Sequence, residues 1–293
     1  MALSEVKQEW VTPFMEGLTS PSEAWRAGFD IMTDDVASKK LASMSGISRV
    51  PVWNGSADRD VAEVNDLYNV PLTYTKYALQ VRLNKYDVRD IPGLVADSAR
   101  KLGVAIANTY GSIAADRMAD IFAATTTAGD GVALVSDSHP NVNGGTRDNK
   151  LTSAFDRTSY MAAMSLARLW TDYQGNEDAW DGEDKVLFGS AADTTFYETA
   201  AEVFRSAVTS AANQANAAQD YIPQVVVWSK LTTSTRWSVH STARKPLVFW
   251  IRAGAENETV IDEDNGNVKI NTDFAIGTCA KPDPAGVVGS MTA

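Results

Sequence analysis

Cysteine is nearly missing from this chain of 293 residues, where Cys279 stands alone. One thiol can build neither an internal disulfide nor a thiolate metal cluster, and the sequence fits a reducing compartment. Histidine is almost as scarce, with only His139 and His240, and there is no H-E-x-x-H zinc helix and no G-x-S-x-G elbow. No stretch approaches 18 uninterrupted apolar residues, so no transmembrane helix is expected. The first ten residues, MALSEVKQEW, lack the basic start and apolar run of a secretory signal. Positive charge is in deficit: 26 Lys and Arg stand against 37 Asp and Glu, a net charge of −11. With no Lys/Arg cluster, tight nucleic-acid binding by the folded surface is disfavoured, while weak contact is not. No repeat of period 20 to 50 is present.

What is there is ordinary globular material. Hydrophobic residues make up 44% and charged residues 22%, which argues against wholesale disorder. The length allows one large or two modest domains with a real core.

The stretch from Asp90 to Pro140 organises the rest. It reads as one very long helix, an Asp-Gly turn and a short buried strand, Val132 to Val135. Asp90 can cap the helix, with Pro92 in its first turn. Val95, Ala99, Leu102, Ile106, Tyr110 and Ile113 recur at spacings of three and four and share one face. Gly129 supplies a stop and Asp130-Gly131 a turn. From Gly93 to Thr126 the helix would run about 34 residues, roughly 50 Å. Beyond Ile113 the stripe blurs, because Arg117 and Asp120 fall where apolar residues should continue. Periodicity leaves two readings open: a long core helix with one charged end, or a spine that carries different partners along its length.

Residues 1 to about 46 read as an arm, broken by Pro13, Gly17 and Pro21 and followed by a helix over Ser22–Met44 with Trp25, Phe29 and Met32 on one face. Ile47 to Trp53 can be a strand, Asn54-Gly55-Ser56 a turn, and Asp58 to Asp66 is polar and acidic. Leu67–Arg89 then alternates: Tyr77, Leu79, Val81 and Leu83 point one way, and Ala78, Gln80, Arg82 and Asn84 the other. Val70, Leu72 and Tyr74 carry the apolar side on the opposite parity, as a bulge near Thr75-Lys76 would produce. The whole is an extended ribbon of about 20 residues, roughly 65 Å. A ribbon that long must lie along something, such as another copy of the chain. The plainer alternative is two strands of one domain sheet, with Asn84 to Asp87 as a turn.

The segment SDSHPNVNGGTRDNK, 136–150, reads as a polar loop. His139 lies beside Asp137 and Ser138, but neighbours on an extended chain do not face one another as a triad must; a hydrogen-bonded, loop-fixing His139 is expected. Gly144-Gly145 lacks the spacing of a phosphate loop. Residues 151–230 read as an α/β module. It has helices over Ser159–Trp170 and Ala191 to about Ala211, strands over Lys185–Gly189 and Ile222–Ser229, and core-filling Met161 and Met164. TDYQGNEDAWDGE, 171–183, carries five carboxylates without the calcium-loop pattern and reads as a solvated loop. Arg236–Ser241 and Leu247–Arg252 are expected strands. A Glu/Asp/Asn/Gly loop is expected over Glu256–Asn267, followed by VKINTDF, AIGTCA and a Pro/Gly-rich tail.

This order of elements, with DGVALVSDSHPNVNGG at Asp130–Gly145, WSVHSTARKPLVFWIRAG at Trp237–Gly254 and DFAIGTCA at Asp273–Ala280, resembles the major capsid proteins of tailed bacteriophages. The resemblance is to the HK97-like fold, and within it to the Mu-like major head subunits, over about residues 20 to 290. It implies an α+β subunit with an N-terminal arm (1–46), an extended loop (47–89), a peripheral domain with a spine helix (90–150 with 231–293) and an axial domain (151–230). It further implies a shell protein and not an enzyme, with no cofactor and no metal. Copies would form pentamers and hexamers around genomic DNA, assembled in the host cytoplasm and resident in the virion. Separate scaffold, portal and decoration proteins would be partners. DNA contact would be weak and non-specific, and no membrane would be involved. Candidate subunit-interface residues are then Trp53, Asp58, Arg59, Tyr74, Tyr77, Leu79 and Val81 on the extended loop, and Arg117 on the spine. Two alternatives stand beside this: an encapsulin-like cellular compartment with the same fold, and a soluble hydrolase using Ser138 and His139.

Overall fold

The computed structural model describes residues 3–21, 23–44, 66–141, 144–205, 218, 221–262 and 265–292. In chain order the elements are α1 (Leu3–Thr19), a 3₁₀ turn at Ala24–Gly28, β1 (Phe29–Thr33), β2 (Lys39–Met44), β3 (Asp66–Leu72), β4 (Thr75–Leu83), α2 (Lys85–Asp90) and α3 (Leu94–Ala119). Short strands β5 (His139–Pro140), β6 (Thr146–Arg147) and β7 (Lys150–Leu151) follow. After them come α4 (Arg157–Arg168), β8 (Lys185–Ser190), α5 (Phe196–Arg205), β9 (Gln224–Trp228), β10 (Arg236–Ser241), β11 (Leu247–Ile261), β12 (Val268–Ala280) and β13 (Val287–Met291).

Two larger sheets carry the molecule. One has four strands in the order β1-β11-β12-β4, the other five in the order β7-β13-β10-β8-β9. The spine α3 lies between them. Val95, Ala99, Leu102, Ile106 and Tyr110 are all buried, as their spacing predicts, and pack in one core with Phe249, Ile270, Phe274 and Ile276 of the first sheet and Phe188 and Val226 of the second. Alternate residues of the second sheet, Leu187, Trp237, Val239 and Val288, face the other way. They close a separate core with Tyr160, Met164, Phe196 and Phe204 from α4 and α5. The α4 start has a physical cause: Asp156 accepts from the Ser159 amide while the Ser159 hydroxyl accepts from the Asp156 amide, a closed capping box.

Several sequence expectations are corrected. The spine ends at Ala119, short of Thr126, in a 3₁₀ turn over Asp120–Phe122, and Arg236 Nη1 donates to its last carbonyl at 2.7 Å. Asp90 does not cap it; Asp90 closes α2, and Gly93 stands at the spine's first cap position. The stretch expected as a helix over Ser22–Met44 is not one in its described residues, 23–44. It gives a 3₁₀ turn and two strands, because Phe29–Thr33 finds parallel partners at Leu247–Ile251. The helix instead lies earlier, over Leu3–Thr19, with Pro13 inside it. Val132–Val135 forms no strand; one bridge, Thr127 to Ala133, holds that turn. Glu256 to Ile261 is strand rather than loop, paired residue by residue with Val268–Asp273.

The ribbon is also rearranged. Leu67–Arg89 is not one projecting element. Its first part, β3, pairs antiparallel with β2 in a separate two-stranded ribbon, and its second part, β4, pairs with β12 at the edge of the four-stranded sheet. The change of parity near Thr75 marks a change of sheet, not a bulge. Ile47–Trp53 lies outside the described residues.

α1 crosses the spine at unusual proximity. A Cβ built on Gly17 would stand 2.1 Å from the Arg100 carbonyl oxygen, and one on Gly103 2.3 Å from that of Phe14. Only two residues without side chains let the backbones meet there, and that approach seats Trp10 and Phe14 in the core.

Candidate functional site

The β2–β3 ribbon covers the face of the four-stranded sheet turned away from the spine, and β4 forms that sheet's edge with Tyr77, Val81 and Leu83 toward the spine core. Near its base the sheet's outward residues Val248, Trp250 and Cys279 are covered by Leu41, Val70, Leu72 and Tyr74, which form a small third core. Burial there pushes the Cys279 thiol up to about 11, so the lone cysteine is a buried apolar filler and not a reactive group.

Polar contacts fix the way into the ribbon. Asp34, between β1 and β2, accepts from Trp250 Nε1 at 2.9 Å through one carboxylate oxygen and pairs with the Lys39 ammonium through the other. The Lys39 hydrogen bond holds the Asp34 carboxyl below its usual range. Arg252 Nε donates to the Val36 carbonyl at 2.9 Å, and its guanidinium lies 4.4 Å above the Tyr74 ring. On the way out of the ribbon, Gly277 lies so close that a Cβ there would stand 2.2 Å from the Thr73 carbonyl oxygen.

The predicted interface residues distribute as follows. Tyr74 meets Trp250 edge to face at 5.8 Å, so its ring is committed within the chain. Tyr77 stacks on Phe274 at 5.1 Å with the rings 14° from parallel. Val81 is half-buried against the main core, and Leu79, 51% exposed, presents its side chain to solvent. Arg117 is tied inward, donating to Thr278 Oγ1 at 3.2 Å and Thr126 Oγ1 at 2.9 Å. Thr73, Tyr77, Asp116, Arg117, Asp120 and Thr278 nevertheless line one polar cleft of about 260 Å³ between the spine and the β4 edge. Trp53, Asp58 and Arg59 lie outside the described residues. Sequence reasoning missed Asp34 and Trp250, since Asp34-Asp35 four to five residues before Lys39-Lys40 signals only a solvated face.

The groups that invited a catalytic reading are occupied differently. His139 Nδ1 lies 2.7 Å from Asp130 Oδ2, not against its sequence neighbours Asp137 and Ser138. Both side chains are buried, and the His139 ring stands edge to face on Trp170. Ser138 Oγ pairs with Ser136 Oγ at 2.8 Å, while His139 Nε2 meets no hydrogen-bond partner among the described residues. No serine–histidine relay is assembled there. Three of the five carboxylates of 171–183 hold structure, since Asp172 accepts from the Asn176 amide and Arg244 bridges Asp178 at 2.7 Å and Glu183 at 2.8 Å, while Glu177 and Asp181 are exposed. Among the described residues, no three metal-ligating side chains cluster, and no helix is long and apolar enough to cross a membrane.

No family model matches the sequence, and no curated protein is similar to it. Solved structures do match the fold. The virus-like particle from Pyrococcus furiosus aligns over 97% of this chain and 98% of its own, with a TM-score of 0.57 and 10% identity. The capsid of the cyanophage P-SCSP1u aligns over 91% and 86%, with a TM-score of 0.63 and 11% identity. The mature capsid of bacteriophage PhiM1 aligns over 93% and 88%, with a TM-score of 0.58 and 11% identity. The fold is thus α+β and of the kind found in capsid shell subunits, the HK97-like fold.

Proposed function

We propose that this chain is a shell-forming major capsid protein, whose copies assemble through pentamers and hexamers into a head enclosing genomic DNA. The observation that carries this reading is the match of the fold to a virus-like particle and a phage capsid, with 86% or more of each chain covered. The β2–β3 ribbon supports it, because the ribbon pairs with neither large sheet and leaves strand edges open to a neighbouring copy. The acidic balance suits a wall that must not grip packaged DNA.

In this reading the β2–β3 ribbon is the reaching part, while α1 and β1 of the expected arm, residues 1–46, pack on the spine and in the four-stranded sheet. The four-stranded sheet with the spine is the peripheral body, and the module around α4 and α5 points to the symmetry axes. Candidate contacts between copies are Trp53, Asp58, Arg59, Tyr74, Tyr77, Leu79, Val81 and Arg117, with Leu79 the most available of those described. Scaffold, portal and decoration proteins are the expected partners, in the host cytoplasm and then in the virion. The catalytic role for Ser138 and His139 finds no support in their geometry.

Negative-stain microscopy of the expressed protein tests the reading, together with analysis of what the particles hold. Closed particles of uniform size with nuclease-protected DNA are expected. Particles filled with an enzyme would instead favour a cellular compartment. A small discrete oligomer whose hydrolytic activity disappears in His139→Ala would overturn both.

A further inference from the structure

Beyond the small third core, the ribbon meets the body a second time. Ser43 of β2 lies on the ribbon face that Leu41 turns to the body, and Tyr68 of β3 is its cross-strand partner. Tyr68 is seated on Gly129, where a Cβ would stand 2.3 Å from the Tyr68 Cβ, and meets Tyr173 edge to face at 6.0 Å. These groups and Arg147 of β6 enclose a cleft of about 100 Å³, several times the room one water needs. Two of its polar groups lack partners: Ser43 Oγ and Arg147 Nε are buried and meet no hydrogen-bond partner among the described residues. Arg147 is only 8% exposed. Its guanidinium lies 5.0 Å from the Trp170 ring centre, and Nη1 donates to the Thr171 carbonyl at 2.9 Å. No carboxylate pairs with it among the described residues. A buried cation without a counter-charge is costly, and an anion in the adjoining cleft relieves that cost.

Two carboxylates on the cleft decide which anion. Asp172 is committed, since its two oxygens accept from the Asn176 amide and the Asn176 side chain at 2.8 Å each. Asp283 is exposed and spends one oxygen on the Ala285 amide at 3.0 Å, which leaves the other as an acceptor. An ionised acceptor repels an anion unless that anion brings a proton to donate, so it selects by rejection. Near neutral pH phosphate keeps at least one P–O–H group. Sulfate and the phosphodiesters of DNA have none.

We propose that this cleft binds a protonated tetrahedral oxyanion, hydrogen phosphate or a phosphomonoester, with Arg147 and Ser43 donating to its oxygens and Asp283 accepting from its P–O–H group. The bound ion joins Ser43 of the ribbon to Arg147 of the body. The site belongs to the single subunit and stands or falls independently of the shell reading.

Isothermal titration calorimetry of the full-length protein tests it, with inorganic phosphate and then sulfate at matched ionic strength in a phosphate-free neutral buffer. The parent should bind a single phosphate per chain, and sulfate about tenfold more weakly or not at all. Arg147→Met should weaken phosphate binding by about tenfold or more, and Ser43→Ala by about two- to tenfold. Asp283→Asn carries the sharpest expectation: an amide donates as well as accepts, so sulfate should then bind as well as phosphate. An oligonucleotide with unphosphorylated ends should not displace phosphate. Circular dichroism checks that each variant folds, and Ser43→Ala with Asp283→Asn decides the matter if Arg147→Met does not. A parent that binds no phosphate, or binds sulfate equally well, would overturn the site. So would an Asp283→Asn chain that still prefers phosphate, or displacement of phosphate by the oligonucleotide.

Discussion

Asp130 and His139 face one another at 2.7 Å with 1% and 0% of their side chains exposed. The pair closes the loop that follows the spine, since Asp130 also accepts from the Val132 amide at 3.0 Å through its other oxygen. Removing the carboxylate leaves a buried imidazole and a turn amide without partners. Asp130→Ala should therefore cost about 3 kcal/mol, within the range for breaking a buried pair. Chemical denaturation would read this as a lower midpoint at unchanged slope.

Asn149 is the second polar staple. It accepts from the Ser136 amide at 2.8 Å and donates to the carbonyls of Leu134 at 2.9 Å and Val287 at 3.1 Å, all without solvent access. Asn149→Ala should cost about 2–4 kcal/mol, because three buried backbone groups lose their partners. Asn149→Asp should be no better, since it keeps the acceptor but cannot donate to two carbonyls. Thermal unfolding of the two variants beside the parent decides this.

The crossing of α1 over the spine predicts a sign opposite to helix propensity. An alanine is worth about 1 kcal/mol more than a glycine inside an exposed helix. Gly103→Ala should nevertheless destabilise by about 1–3 kcal/mol, because the added methyl meets backbone, which cannot step aside. Limited proteolysis should then cut within α1 sooner than in the parent.

His240 supplies the pH dependence. It is fully buried, and burial lowers its pKa from 6.5 to about 3. Between those two values the unfolded chain binds a proton that the folded chain refuses. Stability should thus be level above pH 6.5 and fall below it, at up to about 1.4 kcal/mol per pH unit from this group. Replacing His240 with a neutral residue should flatten that limb when unfolding is compared at pH 7 and pH 5. A limb of unchanged slope in the variant would assign the loss to other groups.

Much of the body was legible because its residues obey one period in one environment. The spine's Val95-to-Tyr110 stripe meets apolar residues along its length, and β10 occupies the residues its pattern predicts. Trp25, Phe29 and Met32 misled because their spacing suits a helix. Phe29–Thr33 became a strand through partners more than 200 positions away, at Leu247–Ile251, and a local pattern cannot report such partners. Glu256 and Glu258 looked like loop because the outer face of their strand is polar, while Thr259 beside them and Ile270 and Thr272 on the partner strand are buried. At the candidate interface the alternation of Tyr77, Leu79 and Val81 was readable. The role of Asp34 was not, since it depends on an indole brought from the far end of the chain.

The strand β13, residues 287–291, lies inside its sheet between β7 and β10 rather than at a margin. Every neighbour it touches is synthesised before it. A growing polypeptide that has not yet reached Val287 therefore holds β10 with one flank open and the Asn149 amide lacking its Val287 acceptor. This sheet is completed only once Val287–Met291 has been made, after every other strand of both large sheets, so a product cut short before that strand is kept out of any larger structure.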